Sequence, residues 1–146
     1  MKKTVVMPVL VLSFCLCGCE TKSTKGDDQT PNKTIPLKLF EAFNKHDWQL
    51  MASYYSDTAD FVDPAYGLDP VKQSHQDLIK KYSGLQKMFP DIKDSIVATY
   101  ADGQHVIVEF VASGMTKEGQ KFRLPMCTVL MIQNGQIVRD ATYYDQ

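Results

Sequence analysis

Residues 92–144 read IKDSIVATYADGQHVIVEFVASGMTKEGQKFRLPMCTVLMIQNGQIVRDATYY, and this run decides the fold class. It is rich in Val, Ile, Thr and Tyr, the branched and aromatic side chains that suit a pleated surface. Three turn signals cut it: Asp102-Gly103, Lys117-Glu118-Gly119 and Asn134-Gly135. Asp-Gly and Asn-Gly supply the positive φ that tight hairpins demand. The run therefore predicts four consecutive antiparallel strands, about Ile92–Ala101, His105–Gly114, Lys121–Ile132 and Ile137–Tyr144.

Upstream, the period changes from two to about 3.6. Leu37, Phe40, Ala42 and Phe43 share one helical stripe, with Leu39 beside it, which predicts a helix from Ile35 to about Asn44. Asp47 is a good N-cap for a second helix, Trp48 to about Tyr55. Ala59–Asp63 reads as a short strand stopped by Pro64. The punctuation from Pro64 to Pro70 reads as a loop. Ser74-x-x-Asp77 resembles a capping box and opens a third helix, to about Met88, whose buried stripe is Leu78, Tyr82, Leu85 and Phe89. Helices first and antiparallel strands after give an α+β fold. One long sheet and three helices share a single core if the sheet curls around the helices, which leaves a hollow at the open end.

The other end of the 146-residue chain has a different character. Met1-Lys2-Lys3 precedes an apolar run, Val5–Leu16, that is too short to span a bilayer comfortably. Leu16-Cys17-Gly18-Cys19 then resembles the lipobox of bacterial lipoproteins. That resemblance implies a signal peptide over residues 1–18, a diacylglyceride on Cys19, and a protein anchored to a bacterial membrane on the exported side of the cell envelope. Removing residues 1–18 takes away two of the 16 lysines and arginines and none of the 17 acids, leaving a balance of −3. No basic run appears, so nucleic acid is not expected as a partner. Residues 20–34, ETKSTKGDDQTPNKT, hold no apolar residue except Pro31, so 19–34 reads as a flexible polar tether. The domain is expected over 35–146. Its only cysteine is Cys127, so no internal disulfide can hold it.

From Ile35 onward the chain resembles the SnoaL-like and ketosteroid-isomerase-like branch of the nuclear transport factor two-like superfamily. The matching pieces are Phe43-Asn-Lys-His-Asp47-Trp48, Tyr54–Asp60, Phe61-Val-Asp63-Pro64, Phe89-Pro90-Asp91, Asp102-Gly103, Asn134-Gly135-Gln-Ile137-Val138 and Tyr143-Tyr144-Asp145. The resemblance implies a cone: a curved antiparallel sheet wrapped against three N-terminal helices, with a pocket at the wide end. It also implies a homodimer through the convex sheet face. Members include isomerases, cyclases, hydrolases, dehydratases and non-catalytic binders, so fold does not settle function.

Asp63 falls where ketosteroid isomerases carry their general base. A strand-end carboxylate facing an apolar hollow loses solvation, which raises its pKa toward a useful value. The same residue before a proline also suits a plain turn, bonded to nearby N–H groups. The isomerases' two dienolate donors, a Tyr and a protonated Asp, match Leu39 and Thr128 here, which argues against steroid isomerisation. Alternation sets Val138, Asp140, Thr142 and Tyr144 on one face of the last strand. The resemblance turns that face toward the pocket, making Asp140 a second candidate catalytic carboxylate; a solvated Asp140 paired with a cation is the alternative. Met126, Thr128 and Leu130 are expected to line the hollow, with Tyr66, His75 and Tyr82 at its rim. Cys127 alternates with Val129 and Met131 and reads as a core thiol. His46, His75 and His105 have no partner at metal spacing, so neither metal nor cofactor is expected. Two functions stay open: binding of a small apolar or amphipathic ligand, or of a partner, and acid–base catalysis with Asp63 as general base.

Overall fold

The computed structural model describes residues 30–67 and 69–145. The expected signal peptide, Cys19 and most of the tether lie outside the described residues. Among these residues no helix is long and apolar enough to cross a membrane. Three α-helices come first or between early strands: α1 Thr30–Asn44, α2 Trp48–Ser53 and α3 His75–Met88. The strands are β1 Tyr55–Val62, β2 Val71–Ser74, β3 Lys93–Asp102, β4 His105–Met115, β5 Lys121–Gln133 and β6 Gln136–Tyr144. A short 3₁₀ turn, Pro64–Tyr66, follows β1.

Local chemistry explains the boundaries. The Asp47 carboxylate caps α2 by accepting from Leu50 N at 3.0 Å. Ser74 and Asp77 close a reciprocal capping box on α3. Between α1 and α2, His46 takes a left-handed φ of 56°. Its ring Nε2 lies 2.9 Å from the Ile92 carbonyl and its Nδ1 lies 2.8 Å from Gln86 Nε2. Only a tautomer with the proton on Nε2 satisfies both. Asn134 and Gly135, with φ of 51° and 79°, form the two-residue turn between β5 and β6 that the sequence predicts.

The six strands form one open sheet in the order β2-β1-β6-β5-β4-β3. As expected, β3 to β6 are antiparallel neighbours in hairpin order. The expectation of a wholly antiparallel sheet is corrected at one junction, where β1 runs parallel to β6. No hairpin joins those two strands, since the rest of the domain lies between them, so no tight turn dictates their relative direction. Two further corrections concern boundaries. The strand β2, paired with β1, occupies part of the expected loop; four residues with a single apolar side chain are too few to show alternation. Helix α1 begins at Thr30, inside the expected tether, because the sequence of its first residues, Thr30–Thr34, carries no apolar stripe to read.

Register shifts at Ile96/Ala98 on β3 and at Met131/Ile132 between β5 and β6 add bend and twist to the sheet. The second shift corrects the simple alternation of β6. Ile137 opposes Ile132 and Asp140 opposes Leu130, so residues three apart share the inner face and Val138 is the extra residue. The concave face packs on α1 and α3 through a core that includes Leu78, Val106, Val108, Leu130 and Ile137, all fully buried. Each such side chain contributes about 1.5–3 kcal/mol of transfer free energy. An aromatic chain ties the helices together: Phe43 meets Trp48 and Tyr82 edge-on, and Trp48 stacks on Tyr82. Cys127, expected in the core, instead lies half-buried on the opposite face from Met126 and Thr128, across from Glu109 and Tyr143.

Candidate functional site

Between the concave sheet face and the helices lies a cavity of about 440 Å³. Its wall is mostly apolar: Leu39, Phe40 and Phe43 from α1, Leu85 from α3, Phe110 from β4, and Phe122, Leu124 and Met126 from β5. The sequence-predicted Asp63, Asp140, Tyr82, Met126, Thr128, Thr142 and Tyr144 all line it. Tyr66 does not. It sits outside the wall, about a third exposed, with the Lys81 ammonium 4.7 Å from its ring centroid. The His75 ring is also elsewhere, bonded to the Tyr55 carbonyl at 2.9 Å.

At one end of the cavity, two of the three carboxyls are fully engaged. Asp140 on β6 is buried, 7 % exposed. The Tyr55 hydroxyl donates to its Oδ2 at 2.7 Å. Thr128 and Thr142 donate to its Oδ1, at 2.5 and 2.9 Å. Register explains the cluster: Thr142 opposes Thr128 on the adjacent strand, and Asp140 is two residues away on the same face. Burial and the adjacent Asp140 push the Tyr55 hydroxyl well above its ordinary pKa, so it stays a donor.

Asp63 caps the 3₁₀ turn. Its Oδ1 accepts from Ala65 N at 2.9 Å and from the Tyr144 hydroxyl at 2.8 Å, and its Oδ2 accepts from Lys81 Nζ at 2.9 Å. Both earlier possibilities are thus partly realised: it is a turn residue and it faces the cavity. The expected upward pKa shift is reversed. Burial does push the Asp63 carboxyl up, but the Lys81 ammonium, the Ala65 N–H and the Tyr144 hydroxyl together outweigh it and hold the group below the usual range. Burial likewise pulls the Lys81 ammonium down, yet Tyr82 and Asp63 beside it leave it raised overall. The pair is 26 % and 13 % exposed, so both charges are largely desolvated.

The third carboxyl was missed in the sequence. Asp94 lies at the other end of the cavity, on β3. Asn44 at the end of α1 clamps its backbone twice, donating to its carbonyl and accepting from its N–H, both at 2.8 Å. The carboxyl itself is not claimed: its Oδ1 is buried with no hydrogen-bond partner among the described residues. Burial alone pushes the group up to about 7. The signal was present in the sequence, since alternation seats Asp94 between Ile92 and Ile96 on one strand face. Lys81 was also legible, three residues after Leu78 and four before Leu85 on the buried stripe of α3.

The model of the SnoaL-like domain family matches residues 37–140. The chain belongs to that family. Solved structures agree in fold. A hypothetical protein of ketosteroid isomerase-like fold from Catenulispora acidiphila, in complex with trimethylamine, is 21% identical with a TM-score of 0.67, covering 76% of this chain and 85% of its own. A putative SnoaL-like polyketide cyclase from Jannaschia is 17% identical with a TM-score of 0.69, covering 80% and 86%. IdmH, a putative polyketide cyclase from Streptomyces antibioticus, is 20% identical with a TM-score of 0.69, covering 78% and 91%. No curated protein matches the chain. Among the described residues of this SnoaL-like domain, no group of three His, Cys, Asp or Glu side chains could hold a metal ion.

Proposed function

We propose that this protein is an envelope lipoprotein, anchored through Cys19 to a bacterial membrane, whose SnoaL-like domain binds a small, largely apolar ligand in its cavity. One observation carries the choice of binding over catalysis: Asp63 and Asp140, the two candidate bases, are engaged by side-chain donors of the domain itself. A general base needs a free lone pair within reach of the substrate and a pKa near the working pH. Asp63 has lost both advantages to Lys81 and Tyr144. The cavity, by contrast, has the size and mainly apolar wall of a small-molecule site. The trimethylamine complex of the Catenulispora relative is in keeping with a small ligand.

The putative cyclases among the structural relatives favour a second function, acid–base catalysis on a small ring-forming substrate. It requires Asp63 to exchange Lys81 for substrate on binding, or Asp94, with its unpartnered oxygen and a pKa raised to about 7, to serve as the base instead. Small molecules extracted from the native, full-length protein and identified by mass spectrometry separate the cases. Binding predicts a stoichiometric compound that is absent from Ala112→Trp, in which the indole fills the cavity. A wild-type extract indistinguishable from that of the filled variant would contradict the binding function. Fractionation tests the anchor: Cys19→Ala should leave the membrane fraction or remain unprocessed.

A further inference from the structure

We propose that the ligand class is a small organic cation, an ammonium group on an apolar body, and that Asp94 is the carboxylate that pairs with it. The inference rests on the binding function above and adds the ligand's charge. Among the described residues, the charged groups of the cavity wall are three carboxyls, Asp63, Asp94 and Asp140, and one ammonium, Lys81. Lys81 is neutralised by Asp63 at 2.9 Å, and three hydroxyls hold Asp140. What is left over is an acid with an unclaimed oxygen.

Asp94 as a residue is half-buried, but its Oδ1 is buried and unpaired, and a buried polar oxygen without a partner is costly unless something offsets it. None of the described residues does. In a shallow surface groove that Asp94 also lines, Lys93 is exposed and Lys45, just past the end of α1, is exposed and paired with Glu41 at 2.6 Å. Sharing the cavity wall with it are Tyr82 of α3, whose hydroxyl burial pushes up to about 12 against the opposing pull of Lys81, and the already engaged Lys81, Asp63 and Asp140. Burial is the one cause that moves Asp94, so no neighbouring charge relieves it. A ligand cation would.

The surroundings also suit an ammonium. Ala112 is directly opposite Asp94 on β4, and its small side chain leaves room in front of the carboxyl. Phe110, opposite Ile96, is the diagonal neighbour on the same face, and it meets Phe40 edge-on with centroids 4.9 Å apart. Aromatic faces attract organic cations, and do so more strongly where water is excluded. The Asn44 clamp fixes the β3 backbone, so the carboxyl is placed before the ligand arrives.

Proton linkage gives the binding a signature. Free Asp94 titrates near 7, and a cation binds its ionised form, so binding releases a proton below that pH. Affinity should then fall about tenfold from pH 8 to pH 6. The test uses isothermal titration of the full-length protein in nonionic detergent with benzyltrimethylammonium and with neopentylbenzene, its uncharged carbon isostere. Heats from Ala112→Trp correct for micelle partitioning, after circular dichroism confirms that this variant is folded. The expected result is that the cation binds at least tenfold tighter at pH 8, that Asp94→Asn removes this preference, and that wild-type affinity follows the stated pH trend. If the neutral isostere binds equally well and Asp94→Asn changes nothing, the cation assignment is overturned while the binding function stands. If neither compound binds and the native protein carries no extractable molecule, both fall. The wild-type pH series decides the assignment even if a variant fails to fold.

Discussion

The two ends of the cavity hold the same functional group in opposite circumstances. At the β1–β6 end, Asp63 and Asp140 are surrounded by donors: an ammonium, a backbone N–H and four hydroxyls. At the β3 end, Asp94 has a buried oxygen and no donor among the described residues. Burial opposes ionisation at both ends, yet Asp63 is shifted down and Asp94 up. The difference teaches that burial alone does not set the behaviour of an acid in an apolar hollow; the count of donors aimed at it does. A satisfied acid builds the wall, and an unsatisfied one is available to a ligand.

The largest effect should come from removing a satisfied acid. Asp140→Ala strands the hydroxyls of Tyr55, Thr128 and Thr142 and opens space, and should cost about 3 kcal/mol in urea unfolding at pH 7. A loss below about 1 kcal/mol would mean that the hydroxyls find water or each other, and that the network does not hold the wall.

The unsatisfied acid should behave in the opposite sense. The folded-state pKa of Asp94 lies above its unfolded value, so the folded protein binds the extra proton between about pH 4 and 7. Stability is therefore lost as pH rises through that window. Asp94→Asn should be more stable than wild type at pH 8, with an advantage larger than at pH 5 by about 2 kcal/mol. Thermal or urea melts at the two pH values read this directly; an Asn variant less stable than wild type at pH 8 would place an unseen partner on the carboxylate.

A smaller effect sharpens the contrast at the satisfied end. Lys81→Met should cost about 1 kcal/mol at pH 7, and the cost should largely vanish in an Asp63→Asn background, the mark of a direct coupling. Because the Asp63 pKa is depressed in the fold, its contribution is present above the ordinary carboxylate range and is lost as pH falls through the folded value. Tyr144→Phe should cost the least, about 0.5–1 kcal/mol, because Asp63 keeps Lys81 and the Ala65 N–H. Equal losses from Lys81→Met and Tyr144→Phe would show that the ammonium contributes no more than a neutral donor.

How much of this was legible follows from range. Signals within a few residues read correctly: the Asp47 cap, the Ser74/Asp77 box and the Asn134-Gly135 turn each depend on groups adjacent in sequence. Period-two alternation grouped Asp140, Thr142 and Tyr144, and Met126 and Thr128, on strand faces that the family resemblance turned toward the cavity they line, although the bulge at Val138 made the same rule fail two residues earlier. Strand β2 and the parallel β1–β6 pairing depend on partners far along the chain, and no local pattern records them. The fate of Asp63 was hidden for the same reason, since Lys81 and Tyr144 are 18 and 81 residues away. Asp94 differs: an acid between Ile92 and Ile96 was visible, but a charge at an inward position reads as an exception to the pattern until the cavity in front of it is known.

The most direct test is the site-resolved titration of the carboxyl carbons by ¹³C NMR on the uniformly labelled full-length protein, with Asp94→Asn and Asp63→Asn supplying the assignments. The account predicts that Asp94 titrates near 7 and Asp63 below the ordinary Asp range. Asp94 titrating near 4 while Asp63 moves toward neutrality would contradict it, and would return the role of reactive carboxylate to Asp63.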